Sequence, residues 1–371
     1  MLKGITVLDF SHYLPGPYAT LRLADLGAEV IKVEPLFGDL ARGFDKQSQS
    51  LFAANNRNKK SISLNVKERE GKEAALKLIE KADVVVESFR PGVMKRLGLD
   101  YAEAKKYNNN IIYASVTGYG QQHEHSHLAS HDLNFMAVSG VLAQLTGNNG
   151  APVHPKITLG DEVGGMLTAE KIIAALFQRE RTGIGCYLDI SLTDSLTMLM
   201  NNHAMLYEQS GKGNGLDVLA GTVVSYAIYQ TNDDRFVALA AVEKKFWENF
   251  CRYAERKDWI PLQQSPARAG NQTYEEVKAY FASKPYKYWR QVALEVDCCM
   301  TPVVQTGELA SSPYTKHMLA EGGYIYTHSK PEVAAPPELG AQTKEILYQL
   351  GLSETEIVRL HERGIIGGVL I

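Results

Sequence analysis

The first half of the chain alternates strand and helix signals at a pace that leaves few architectures open. Ile5-Thr6-Val7-Leu8-Asp9-Phe10 reads as a strand. The Pro15-Gly16-Pro17 turn leads into a helix with apolar Leu21, Leu23 and Leu26, and Glu29-Val30-Ile31-Lys32-Val33 reads as the next strand. Strand–helix–strand units of this kind imply a parallel sheet with right-handed crossovers. The pattern repeats with a helix over 69–81, a strand over Asp83–Glu87 and another over Ile111–Val116. A long helix follows Asp161, with Met166, Ile172, Ile173, Leu176 and Phe177 at near-helical spacing and a stop at Thr182-Gly183. Asp189-Ile190-Ser191 closes a further strand.

After about residue 200 the texture changes. Gly211-Lys212-Gly213-Asn214-Gly215 reads as a flexible junction. Beyond it lies a hairpin-like stretch whose turn is Asn232-Asp233-Asp234, then helices at about 244–256 and 274–283, which together make a smaller α+β domain. The chain becomes loop-rich near 312–340, with Pro313, Pro331, Pro336 and Pro337, and ends on a helix from Thr343 to Gly351. Two domains suit 371 residues, because single cores rarely grow past about 250–300 residues.

Composition excludes several function classes. A net charge of −3 argues against a general nucleic-acid binder. Four unpatterned cysteines (Cys186, Cys251, Cys298, Cys299) point to a reducing compartment. The start MLKGITVLDF lacks the pattern of a secretion signal, and no apolar run reaches the roughly 20 residues of a membrane span. A cytoplasmic protein without membrane or nucleic-acid partners is the expectation. The first turn reads FSHYLPGP and not GxGxxG, so a dinucleotide fingerprint is missing.

Two segments carry the chemistry. Ser130-His131-Asp132 sets an imidazole and a carboxylate side by side before the apolar run FMAVSGVLAQL, and Gly160-Asp161-Glu162 sets an acid where a loop gives way to a helix. A base and an acid delivered to one pocket are what a proton needs when it leaves one face of a carbon and returns to the other. Asp132 and Asp161 are also suited to plain helix N-caps, His131 to a structural role, and Glu243 to complementing the dipole of an amphipathic helix. His123, His125 and His127 alternate as metal-binding residues can; a solvent-exposed loop is the favoured reading, and no metal is expected.

The segments VLDFSHYLPGPYAT, LADLGAEVIKVEPLFGD, NNRNKKSISLNVK, ADVVVESFRPGVMKRLGLDY, ASVTGYGQ, SHDLNFMAVSG, GDEVGG, RERTGIGCYLDISLTDS, AAVEKKFW, DCCMTPV and APPELGAQTKEIL occur in that order. Together they resemble the family III CoA transferases (the CaiB/BaiF type), nearly end to end. The resemblance implies an α/β fold: a Rossmann-like parallel-sheet large domain plus a smaller α+β domain, in an interlocked homodimer. The boundaries would be 1–200 for the N-terminal part of the large domain, 201–221 for a linker, 222–310 for the small domain, and 311–371 for the return linker and the rest of the large domain.

In the transferase branch of that family, the aspartate matching Asp161 is the nucleophile, forming an acyl anhydride and an aspartyl-CoA thioester. In the racemase branch, the residues matching Asp161 and His131 exchange the α-proton of an acyl-CoA through an enolate. His131-Asp132, Ala241-Val242-Glu243-Lys244-Lys245-Phe246-Trp247 and Asp297-Cys298-Cys299-Met300-Thr301-Pro302-Val303 are similar to racemase wording. Leu14 stands where some transferases carry a glutamine. The resemblance thus implies catalytic roles for Asp161, His131, Glu243 (orienting His131, by reach from the partner chain) and Asp132. Phe89, Arg90 and Arg96 match a CoA-contacting segment, and Arg57, Lys59 and Lys60 form a second basic cluster that could meet phosphate. No cofactor is implied beyond the CoA of the substrate. CoA transfer between carboxylic acids stands as an alternative, and so does a non-catalytic CoA-binding dimer, given the unusual loop 122–129. Phe135, Met136 and Met166 fit either an apolar acyl pocket or simple core packing.

Overall fold

In the computed structural model, which describes residues 1–43, 45–147, 150–318 and 334–368, most strand–helix units of the first half form where apolar alternation and turn residues place them. The elements begin β1 (Thr6–Asp9), α1 (Pro15–Asp25), β2 (Glu29–Glu34), α2 (Lys46–Asn56), β3 (Lys59–Leu64), α3 (Arg69–Lys81) and β4 (Val84–Glu87). Then come α4 (Val93–Leu97), α5 (Tyr101–Tyr107), β5 (Ile112–Thr117), α6 (Asp132–Val138), α7 (Leu159–Thr182), β6 (Tyr187–Ser191) and α8 (Leu192–Thr197). The second half holds α9 (Asn201–Ser210), β7 (Tyr226–Gln230), β8 (Phe236–Ala240), α10 (Lys244–Tyr253), α11 (Gln272–Phe281), α12 (Tyr286–Glu295) and β9 (Met300–Pro302). The C-terminal residues add α13 (Thr343–Gln349), α14 (Glu354–Glu362) and β10 (Ile366–Gly367). The chain divides into two units: Met1–Asn201 with the C-terminal segment, and a second that begins at Asn202.

Among the described residues of the first unit, seven strands make one sheet in the order β10-β3-β2-β1-β4-β5-β6. All neighbours pair in parallel except β10, which runs antiparallel to β3. Consecutive side chains of a strand point to opposite faces, and both faces of this sheet are covered. Leu8, Ile31, Ile62 and Val85 join one core with Ile79, Leu347 and Ile357. Val7, Val30, Val84 and Ile112 join the other with Leu23, Ile172 and Leu176. Strand β3 went unrecognised in the sequence because its first residues, Lys59 and Lys60, looked like a surface cluster.

Lys59 and Lys32 in fact lie inside. The Lys32 ammonium sits 2.8 Å from Asp39 Oδ2 and 3.9 Å from Asp9 Oδ2, and all three side chains are fully buried. Lys32 also donates to the Ser11 carbonyl at 2.8 Å. Lys59 Nζ donates to Asp9 Oδ2, the Pro17 carbonyl, Thr20 Oγ1 and Asn56 Oδ1 at 2.8–3.0 Å. Burial alone would raise the Asp9 pKa, but Lys32, Lys59 and the hydroxyls of Ser11 and Thr20 outweigh it and hold the carboxyl well below its usual range. Burial pulls Lys59 down to about 8, against the attraction of Asp9. The network ties the C-terminal ends of β1 and β2 to the start of β3, and through Asp39 it fixes the loop after β1, since Asp39 Oδ1 accepts from the Tyr13 amide at 3.1 Å.

The second unit is a three-stranded antiparallel sheet, β7-β8-β9, backed by helices. Its core is aromatic: Trp247, Trp259 and Trp289 are all 0% exposed and pack with Phe250, Phe281 and Tyr229. The turn expected at Asn232-Asp233-Asp234 does connect β7 to β8, with Asp234 in the left-handed region at φ 58°. The stretch 201–221, expected as a linker, is partly ordered, since Asn201–Ser210 is helical and Asp217–Ala220 forms a 3-10 turn. Residues 319–333 of the expected loop-rich return lie outside the described residues. Among the described residues no helix is long and apolar enough to cross a membrane.

Replacing Lys32 by Met strands the Asp9 and Asp39 carboxylates in the interior. Removing one partner of a buried pair costs about 3–5 kcal/mol, so urea unfolding should show a loss of that order. A loss below about 1 kcal/mol would show that the pairing does not hold these strand ends together.

Candidate active site

In an open α/β sheet, ligands bind beyond the C-terminal ends of the strands where the strand order reverses. Here β1 lies between β2 and β4, so the reversal falls between β1 and β4. The loops leaving these two strands meet. Ser88 Oγ accepts from the His12 amide at 3.0 Å, and the His12 ring stands edge-on to Phe89 with centroids 5.3 Å apart. His12 Nδ1 also lies 3.5 Å from Asp39 Oδ1, at the end of the buried ion network. The chain then turns through Gly92 (φ 82°) into α4. Arg90 and Arg96 are exposed there and make no ion pair with a described residue.

Beside this turn is a cavity of about 290 Å³ lined by Glu87, Arg90, Tyr101, Tyr113, Gln121 and Tyr187. Glu87 ends β4 and is 2% exposed. Burial pushes its pKa up to about 7, against hydrogen bonds from Ser115 and the Phe89 amide, with Asp189 adding to the rise. In the sequence Glu87 was visible only as the end of a strand, and His12 only as part of a turn.

The second cluster lies where α6 and α7 begin. His131 is the N-cap of α6 and is exposed; its amide donates to Asn134 Oδ1 at 3.0 Å. Asp132 turns away from α6, and its Oδ1 accepts from the Asp161 amide at 3.0 Å. Thus the segments that carry His131 and Asp161 are tied by one hydrogen bond, from the Asp161 amide to the residue after His131. Burial pushes Asp161 up to about 7, with the Asp132 and Glu162 charges adding to the rise. Glu162 is raised for the same two reasons, burial first and Asp132 second. Phe135 and Met136 are buried core residues, whereas Met166 is 41% exposed.

Glycines set the position of α7. A Cβ on Gly165 would stand 2.8 Å from the Pro15 carbonyl oxygen and 2.9 Å from Tyr18 Cδ1, and one on Gly164 would strike Leu192 at 2.2 Å. The helix therefore lies directly against α1 and α8, which fixes the turn that carries Asp161. α6 stops at Val138, so the expected apolar helical run through Leu145 is broken, and a separate 3-10 turn covers Leu142–Gln144.

Two expectations need revision. Lys59 has no exposed side-chain surface and directs its donors into the protein, so it is structural and cannot reach a phosphate. Arg57 is nearly buried and pairs with Asp25 at 2.5 Å. The Asp161 amide, which could have served a developing oxyanion, is already engaged by Asp132. Glu243 belongs to the second unit, where it is the N-cap of α10 and offers no side-chain cap. His123, His125 and His127 are all exposed on their loop. His123 and His125 rings lie 5.2 Å apart, and no group of three potential metal ligands occurs among the described residues.

Comparison with known proteins adds the following. A family model described as CoA-transferase family III matches residues 2–349. The chain is 30% identical to alpha-methylacyl-CoA racemase of Homo sapiens, over 98% of this chain and 97% of that protein. It is 32% identical to acetyl-CoA:oxalate CoA-transferase of Acetobacter aceti, over 88% and 87% of the two chains. A crystal structure of a CAIB/BAIF family protein from Brucella suis superposes with a TM-score of 0.79 at 25% identity, covering 94% of this chain and 99% of that one.

The packing at Gly165 is directly testable. Gly165→Val should push α7 from α1 and cost about 1–3 kcal/mol, the usual range for overpacking, read as a fall in thermal midpoint; an unchanged midpoint would mean that the two helices are not held in contact.

Proposed function

This chain belongs to CoA-transferase family III, and from that premise we propose that it is an acyl-CoA racemase or epimerase acting on 2-methylacyl-CoA-like thioesters. The observation that carries the reading is Asp161, a partly buried carboxyl raised to about 7 and joined through Asp132 to the helix end that bears His131. A catalytic acid or base works best with a pKa near the operating pH. Asp161 can therefore hold or release a proton at neutral pH, whereas a carboxylate nucleophile gains nothing from being half neutral.

The thioester carbonyl acidifies the α-C–H. His131 takes that proton on one face and protonated Asp161 returns one on the other; in the reverse direction the roles exchange. The exposed Arg90 and Arg96 bind the phosphates of CoA beside Phe89. Glu243 fixes the orientation of His131 and is supplied by the second copy of a homodimer. The relatives named above include both a racemase and a CoA-transferase, so the alternative chemistry is transfer of CoA between carboxylic acids through Asp161.

Incubating the enzyme with a 2-methylacyl-CoA in D₂O and following the α-carbon by NMR separates these. Deuterium should enter in the wild type and fall by about 10²–10⁴-fold in His131→Ala and in Asp161→Ala. CoA appearing on an added carboxylate without exchange, in an Asp161-dependent way, would replace this reading by the transferase one. In the direction that needs protonated Asp161, the rate should decline as pH rises through about 7, because the proton is lost there.

A further inference from the structure

The first turn of α7 has no cap of its own. Its N-cap residue, Thr158, makes no side-chain hydrogen bond to the helix, although free N–H groups at a helix start normally find a partner. The partner comes from another helix: Asp132 Oδ1 accepts from the Asp161 amide at 3.0 Å. Space for this exists because residue 160 is glycine; a Cβ there would stand 2.9 Å from Asp132 Oδ1 and 3.1 Å from Leu196 Cδ1. Asp132 is meanwhile the first residue of α6. Its carboxylate thus lies at the N-terminal ends of two helices, α6 and α7. No described residue donates a hydrogen bond to the Asp161 carboxylate.

We propose that Asp132 is a positioning residue that docks its carboxylate on the α7 start through the gap left by Gly160, orienting Asp161 and setting a negative charge beside it. This rests on the reading of Asp161 as a proton carrier. Two carboxyls in one site acquire different roles when their surroundings separate their ionisation. Here one has an amide donor and the other does not. The direction agrees with the rise of Asp161, in which Asp132 is the first charge to act after burial.

The other groups near Asp161 are few. Glu162 follows it on α7 and adds to the rise. α1 presents Pro15, Tyr18 and Ala19 to α7 at Gly165, and α8 presents Leu192 and Leu196. The charged residues of those helices are Arg22 and Asp25 in α1 and Asp194 in α8, and His131 caps α6. Of the charged groups around it, Asp132 and Glu162 are the ones that act on Asp161.

Asp132→Asn is the decisive variant, because its side-chain oxygen still caps the Asp161 amide while the charge is gone. The protein is labelled at aspartate carboxyl carbons and titrated by NMR, with the Asp161 signal identified by its loss in Asp161→Asn. The Asp161 midpoint should fall by about one pH unit in Asp132→Asn, with little change in thermal midpoint. The decline of α-proton exchange with rising pH should shift down by the same amount. Gly160→Ala, which displaces the carboxylate, should lower the Asp161 midpoint too and also lower thermal stability. An Asp161 midpoint unchanged in Asp132→Asn would overturn the proposal and leave Asp132 as a simple cap. Should the wild type show no α-proton exchange, the racemase reading fails, but the NMR midpoint still decides the role of Asp132.

Discussion

Two lysines and two aspartates buried together at the C-terminal ends of β1 and β2 hold the part of the molecule on which the site depends. Isolated charges in such a place would cost several kcal/mol each. They persist because each ammonium is surrounded by acceptors: Lys32 by Asp39, Asp9 and the Ser11 carbonyl, and Lys59 by Asp9, Thr20, Asn56 and the Pro17 carbonyl. The arrangement is directional where apolar packing is not. It ties the C-terminal ends of β1 and β2 to the start of β3 and fixes the loop that carries His12 to the Phe89 turn.

The architecture was legible wherever a local signal agreed with the tertiary environment. Apolar alternation gave β1, β2 and β4, and the Thr182-Gly183 stop matched a left-handed Gly183 that caps α7. Strand β3 was hidden because its polar residues are buried in partner contacts that no one-dimensional pattern reveals. For the same reason Lys59 and Arg57 read as ligand-facing: a lysine's charge is visible in a sequence, but the aspartate it faces from 50 positions away is not. Asp161, Asp132 and His131 were recognisable as residues worth attention. That Asp132 reaches across to the Asp161 amide depends on a helix crossing, and Gly160 as its condition carried no local mark.

Family membership narrows the chemistry to CoA thioesters without choosing between proton exchange and acyl transfer. What favours exchange is a matter of ionisation. An aspartate meant to attack a carbonyl profits from a full negative charge, whereas one meant to shuttle a proton profits from being half occupied near pH 7. No described residue donates a hydrogen bond to the Asp161 carboxyl, whereas Asp132 accepts one from the Asp161 amide, a distribution that suits the proposed proton carrier.

Gly160, Gly164 and Gly165 all fall within the first turns of α7. Each lowers helix propensity by roughly 1 kcal/mol relative to alanine, so this end of the helix has little tendency to form by itself. Its order comes from α1, α6 and α8 closing on it. The acid-bearing turn therefore owes its order to the packing of its neighbours and not to its own sequence. A partly assembled chain would expose a frayed helix end and no organised site, which couples the appearance of reactivity to completion of the fold.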